Sequence, residues 1–309
     1  MKQINLAARL LRTNQWVKNS VVFVAIIFSG KLFEPATLIV TILACLTFCL
    51  LSSGLYIIND ILDAPADRKH PIKKMRPIAA GEVTSQQAIG VSLGLIFVSL
   101  AVALYFSSSL FFLCLLFVGL HIAYSTILKS YAIIDIFAIS FSFMIRAFAG
   151  EVVSGFHIPV WLRLTIFFMS LFIAAIKRNA ELAISGPESR QTLAKYNKHF
   201  LDFLTYTFAT ATIIAYSLYA YNIYDNIEPA PRGYSFLKQV ISDFNPGTEN
   251  RKLMTATIPI VVYAIARYGQ LFYTRIQGER PEKIIISDVP LLGAMIIWGI
   301  MVISLIYLL

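Results

Sequence analysis

The chain has 309 residues, 58% of them hydrophobic and only 14% charged, with a mean hydropathy of +0.71. A soluble domain carries about 25% charged residues, so this composition excludes an ordinary water-soluble protein and points to a polytopic membrane protein. The net charge of +9 does not mark a nucleic-acid binder, because its positive residues are sorted by membrane side.

Residues 1–18 read as an amphipathic interfacial segment, with Ile4, Ala7, Leu10 and Leu11 alternating with Lys2, Arg9 and Arg12. No cleavable signal is expected, since no small-residue cleavage site follows the first apolar run. Arg12, Gln15, Trp16, Lys18 and Asn19 then cluster before the first span. They read either as interface anchors or, for Lys18 and Asn19, as contacts to a phosphate. Apolar stretches predict spans near 19–33, 37–58, 87–106, 109–127, 131–150, 160–176, 201–222, 254–273 and 287–308, about nine helices in all. Gly30 and Lys31 shorten the first. Assigned to these spans, 18 of the 26 Lys and Arg lie on the side of the N-terminus and the even-numbered loops. Six lie opposite, and Arg146 and Arg267 lie inside spans. The positive-inside rule then makes the N-terminus cytoplasmic and the C-terminus external.

The second span ends in the most informative stretch, residues 59–81. Asp60, Asp63 and Asp67 stand at i, i+3 and i+7 behind Asn59, within about 60° of one another on a helix, so they can converge on one cation. Pro65 leaves open whether Asp67 stays on the helix or approaches from a loop. Arg68, Lys69, Lys73, Lys74 and Arg76 follow at once. Hard carboxylate oxygens beside clustered positive charge suit Mg²⁺ holding a diphosphate. Solvated acids balancing a positive loop, and plain topology markers, are the structural alternatives. Pro77 to Gly81 predicts a tight re-entry into the third span.

Further along, Tyr124, Ser125 and Lys129 end the fourth span and Asp135 opens the fifth. Arg146 lies deeper in the fifth span, where a charge costs at least ~2.5 kcal/mol and must face the bundle interior or a wet cavity. Asp135, at i−11, is a partner only through intermediaries. Lys177, Arg178 and Glu181 end the sixth span, either as donor contacts or as a local pair of Lys177 with Glu181. Residues 223–253 read as an external loop, and the loop after the eighth span carries Arg275, Glu279, Arg280, Glu282 and Lys283. Cys45, Cys49 and Cys114 read as small buried hydrophobes. The four scattered histidines show no zinc-ligand spacing. With no flexible linker, residues 1–309 read as one domain, whose cytoplasmic loops form a charged cavity at one membrane face.

Asn59, Asp60, Asp63 and Asp67 together form an N-D-x-x-D-x-x-x-D motif after the second helix, which resembles that of the UbiA superfamily of intramembrane prenyltransferases. Typical members carry a second Asp-rich motif in the loop after the sixth helix. Here that place holds Lys177-Arg178-Asn179-Ala180-Glu181. With Gln15 to Asn19, Tyr124-Ser125, Leu128-Lys129, Arg146-Ala147, Ala149-Gly150, Gly278-Glu279 and Pro281-Glu282, the pattern is similar to the branch of decaprenyl-phosphate phosphoribosyltransferases.

The resemblance implies an all-α bundle and a glycosyltransferase for cell-wall biosynthesis in a bacterial inner membrane. It implies 5-phosphoribosyl diphosphate (PRPP) as donor, a polyprenyl phosphate as acceptor, and room for a homo-oligomer. Asp60, Asp63 and Asp67, with Asn59, would hold Mg²⁺. Arg68, Lys73, Lys74, Arg76, Lys177 and Arg178 would hold the donor's phosphates, with Glu181 beside them. Lys18, Asn19, Lys129 and Arg146 would meet the acceptor phosphate, with Tyr124 and Ser125 as hydrogen-bonding helpers. Two rival readings are an ordinary superfamily member that moves a prenyl chain to a small acceptor, and a transporter or flippase for an anionic lipid or metabolite.

Overall fold

A computed structural model describes residues 2–69, 72–186, 192–222, 250–275 and 287–308. The expected external loop, residues 223–253, falls almost entirely outside the described residues, as do Gly278, Glu279, Pro281 and Glu282.

Among the described residues there is no strand. The helices are α1 (Lys2–Leu10), α2 (Val24–Phe28), α3 (Pro35–Asp67), α4 (Ser85–Phe106), α5 (Ser108–Thr126), α6 (Ile134–Ser154), α7 (Val160–Ser185), α8 (Lys198–Asn222), α9 (Ile258–Arg275) and α10 (Val289–Tyr307). Seven of the described helices, α3 to α8 and α10, are long and apolar enough to cross a membrane. The sequence pattern predicted about nine. The first expected span falls instead on a 3₁₀ stretch, Thr13–Phe23, that runs into the five-residue α2. Gly30 ends it in the left-handed region (φ 74). The eighth falls on α9, which carries Arg267.

Helix α3 sets the position of the acidic motif. Its 33 residues extend about 50 Å, well beyond the ~30 Å hydrocarbon thickness, so its last turns project past the apolar stretch. Pro35 stands in the first turn, where a missing N–H leaves nothing unpaired. The helix also continues through Pro65 to Asp67, and the Arg68 amide still reaches the Ala64 carbonyl at 3.1 Å. The question left open by the sequence is therefore resolved: all three carboxylates ride on one helix.

The chain forms two compact units. The first comprises residues Met1–Ile26, Glu34–Tyr131 and Ile145–Phe156. Its core joins Phe48, Leu51 and Leu55 of α3 to Leu110, Cys114 and Phe117 of α5, with Val22, Ile145 and Ala149. Phe48 and Phe117 meet edge to face at 5.2 Å. Helices α3 and α4 approach closely at Gly54, whose carbonyl accepts the Ser92 hydroxyl at 2.8 Å. The second unit comprises Ile27–Phe33, Ala132–Met144 and His157–Leu309. Its core packs Leu171, Phe172 and Ile176 of α7 against Leu201, Leu204 and Phe208 of α8, with Tyr268, Phe272 and Leu291.

Large apolar side chains also point outward, among them Phe97, Phe112 and Ile300. Such exposure would be an aggregation hazard in water and is ordinary against lipid tails. The three cysteines lie within α3 and α5; Cys49 and Cys114 are buried, as expected, and Cys45 is half-buried.

Candidate active site

The acidic ladder divides into two parts. Asp60 and Asp67, two helical turns apart and both buried, meet on a single cationic nitrogen. Arg76 Nη1 lies 3.0 Å from Asp60 Oδ1 and 2.5 Å from Asp67 Oδ2. Arg12 also grips Asp60, with Nε 3.0 Å from Oδ2 and Nη2 on Oδ1, while its guanidinium lies 5.3 Å from the centre of the Tyr56 ring.

Asp63 has other partners. Lys129 Nζ donates to it at 2.7 Å and Asn59 Nδ2 at 2.8 Å, and Asn59 Oδ1 accepts the Ser125 hydroxyl at 3.1 Å. The expected convergence of three carboxylates is thus a convergence of two. At i+3, Asp63 lies at the edge of the acidic face, and Lys129 holds it there. Among the described residues, no three Asp, Glu, His or Cys side chains stand together as a metal-holding group.

Three carboxylates are therefore matched by Arg12, Arg76 and Lys129. The donor set nevertheless suits a divalent cation: its oxygens are hard, and two of them already converge on one positive centre.

Around this pair, Arg68 and Lys74 are exposed, and Lys73 is half-buried in the 3₁₀ turn Lys73–Met75. Pro77 and Ile78 are buried beneath the loop, and Gly81, at φ 76, turns the chain toward α4. That helix starts with a capping box formed by Thr84 and Gln87. Arg9 fastens the end of α1 to both arms of the loop, at 2.5 Å to the Met75 carbonyl and 2.8 Å to Glu82. Tyr124 is half-buried next to Ser125.

The residues before the first span make contacts within the protein. Asn19 is fully buried. Its Oδ1 accepts Arg146 Nε at 2.7 Å, and its amide faces Cys49 Sγ at 3.2 Å and Ser52 Oγ at 3.4 Å. Arg146 is also buried, 4.6 Å from the centre of the Phe117 ring. Asn19, of the same unit, is among its partners, and Asp135 belongs to the other unit. Lys18 donates to Gln15, and the Trp16 indole donates to Ser53 at 3.0 Å, so Trp16 is bonded into α3.

In the second unit, Arg178 is 1% exposed and paired with Asp135 at 3.0 Å and with Glu181. Arg178 forms a local pair with Glu181 at i+3, a pairing the sequence pattern did not single out. The Tyr196 hydroxyl donates to Asp135 at 2.7 Å and accepts the Ile133 amide at 2.5 Å. Burial, and then the Asp135 charge, raise the Tyr196 pKa above its ordinary value. Asn179 donates to Asp202 at 2.7 Å. Arg178 thus closes an internal network at the end of α7, while Lys177 beside it is half-buried. Asp135 and Tyr196 carried no sequence signal for this role, and neither did Arg12 for its hold on Asp60, because each partner is distant in the chain.

The model of the UbiA prenyltransferase family matches residues 20–186. The decaprenyl-phosphate phosphoribosyltransferase of Corynebacterium glutamicum is 30% identical over 307 residues, covering 97% of this chain and 86% of that one. The protein of the same name from Mycolicibacterium smegmatis is 35% identical over 221 residues, 69% of this chain and 70% of its own. Among solved structures, a UbiA homologue from Archaeoglobus fulgidus bound to GPP and Mg²⁺ aligns with a TM-score of 0.69 at 17% identity, covering 97% of this chain and 99% of that one. At that identity the likeness is one of fold.

Proposed function

The chain belongs to the UbiA prenyltransferase family, as an integral membrane transferase, and we propose that it moves the 5-phosphoribosyl group of PRPP onto a polyprenyl phosphate. The products are polyprenyl-phosphoryl-5-phosphoribose and diphosphate, made at the cytoplasmic face of a bacterial inner membrane for cell-envelope glycan synthesis. One observation carries the reading: Asp60 and Asp67 meet on one cationic centre in a cluster where each carboxylate is matched by an Arg or Lys. That arrangement suits a metal-bound diphosphate flanked by further phosphate contacts. The 30% identity to a phosphoribosyltransferase over nearly the whole chain supports it.

In this mechanism Asp60 and Asp67, with Asp63 beside them, would hold a divalent cation. When bound, that cation offsets the charge that builds on the diphosphate as the C1–O bond breaks. Arg76, Lys73, Lys74 and Arg68 bind the diphosphate oxygens, with Arg76 suited to bidentate contact. Lys129, Ser125 and Tyr124 orient the acceptor phosphate, and Asn59 keeps Ser125 and Asp63 aligned. One oxygen of the acceptor phosphate attacks C1 as the diphosphate leaves. It is already anionic, so the site requires no strong base, and positioning supplies most of the rate. Arg178, Glu181, Asn19 and Arg146 support the scaffold in this reading.

The test is transfer of radiolabelled PRPP to polyprenyl phosphate by purified protein, with Mg²⁺ and after chelation. Metal-dependent labelled lipid is expected. No labelled lipid, with turnover of a prenyl diphosphate and an aromatic acceptor instead, would replace this reading with lipid transfer.

A further inference from the structure

We propose that Arg76 is a resident counter-ion for Asp60 and Asp67, and that it gives way only when a divalent cation arrives with the donor's diphosphate. This inference rests on the metal–diphosphate reading above. It adds an order of events: the metal position is filled by a guanidinium in the resting enzyme, and metal and donor are captured together.

The geometry separates the two arginines on Asp60. Arg12 uses one lone-pair site on each oxygen of that carboxylate, which fixes the carboxylate's plane. Arg76 takes a second site on Oδ1 and reaches across to Asp67. Arg76 is the group that bridges the two carboxylates, so it is the contact a cation joining Asp60 to Asp67 would replace, while Arg12 can stay. Asp60 and Asp67 are nearly inaccessible, whereas the Arg76 side chain is 27% exposed and has room to swing outward.

An arginine cannot give up its proton, so it cannot yield by neutralising. A divalent cation entering beside it meets repulsion between like charges. A diphosphate removes that conflict, because guanidinium pairs with phosphate as well as with carboxylate. After the exchange the carboxylates hold the metal and Arg76 holds phosphate, so no charge is left without a partner. The backbone need not move: Arg9 ties the loop at Met75 and Glu82, on either side of Arg76.

Mn²⁺ titrations followed by electron paramagnetic resonance test the exchange on purified protein. With Mn²⁺ alone, Arg76→Gln is expected to bind on the order of 10-fold tighter than the unmodified protein. Arg76→Lys, which keeps the charge but loses the fork, is expected to fall between the two. Arg12→Gln is expected to move the other way, because Asp60 loses its orientation. Mn²⁺ affinity in Arg76→Gln equal to or weaker than that of the unmodified protein would overturn the proposal. If that variant does not fold, Arg76→Lys decides, and unchanged Mn²⁺ affinity there overturns it equally. Adding inorganic diphosphate should tighten Mn²⁺ binding far more in the unmodified protein than in Arg76→Gln, and an equal gain in both counts against the exchange. Loss of phosphoribosyl transfer with this Mn²⁺ pattern intact would discard the donor assignment alone. Labelled lipid without the pattern would discard the exchange alone.

Discussion

Arg146 donates from Nε to Asn19 Oδ1 at 2.7 Å, joining the first membrane-entering stretch to α6 inside one compact unit. An arginine in the middle of an apolar helix invites a reading as a ligand-binding charge. Here a buried amide meets it, with an aromatic face beside it, which is how an intramembrane cation is held by structure.

Asn19→Leu removes that acceptor while preserving bulk. It is expected to lower stability by about 2–3 kcal/mol, visible as a reduced unfolding temperature in detergent. Substrate KM should change little. A raised KM at unchanged stability would return Asn19 to the phosphate-binding residues.

Asp60→Asn is expected to reduce turnover by at least about 100-fold, because it strips charge from a carboxylate held by two arginines. Asp63→Asn should cost less, since Asp63 is more exposed and faces Lys129. Steady-state kinetics on both variants checks the ranking, and equal losses would point to three equivalent metal-binding carboxylates.

Tyr196→Phe removes both the donor to Asp135 and the acceptor for Ile133, whose backbone lies in the left-handed region at φ 71. A loss of about 1–3 kcal/mol is expected. The native phenol's pKa lies above its ordinary value of about 10. Its stabilisation is therefore complete below that pH and drains as the pH climbs toward the native value. Comparing unfolding of the two proteins from pH 8 to 11 should show the difference between them shrinking at the alkaline end.

Gly54→Val should separate α3 from α4. A Cβ at this position would lie 2.9 Å from Ile96 Cγ1 and 3.0 Å from the Ser92 carbonyl oxygen. Overpacking of this kind costs about 1–3 kcal/mol. Gly90→Val on the neighbouring helix, where a Cβ meets nothing within 4 Å, is the matched control and should not lower the unfolding temperature.

The spans and the acidic motif were legible because they are local patterns: apolar runs of bilayer length, and carboxylates at helical spacing. Pro65 obscured whether Asp67 remains helical, because a proline gives up its bond to the carbonyl four residues back and can kink or end a helix there. Here the helix runs on for two more residues, and the Arg68 amide still reaches the Ala64 carbonyl. The roles of Arg12, Arg178 and Asn19 were illegible for another reason. Arg12 reaches 48 positions ahead to Asp60, Arg178 reaches back to Asp135, and Asn19 reaches forward to Arg146. No periodicity encodes such pairings, and a basic residue near a membrane edge looks the same whether it faces water, phosphate or a buried acid. The branch resemblance named the reaction class that these pairings left unstated.

Helix α3 passes without a break from Thr37 through Ile58 and on to the acids. Those 22 residues measure about 33 Å, close to the depth of bilayer hydrocarbon. With no slack between anchor and carboxylates, the height of Asp60 above the lipid tails is fixed by a rigid rod. A thicker membrane would draw the acids toward oil, and a thinner one would lift them into the headgroups. On the proposed role of these acids, acyl-chain length in reconstituted vesicles is expected to change turnover through this one helix, with no change to any residue.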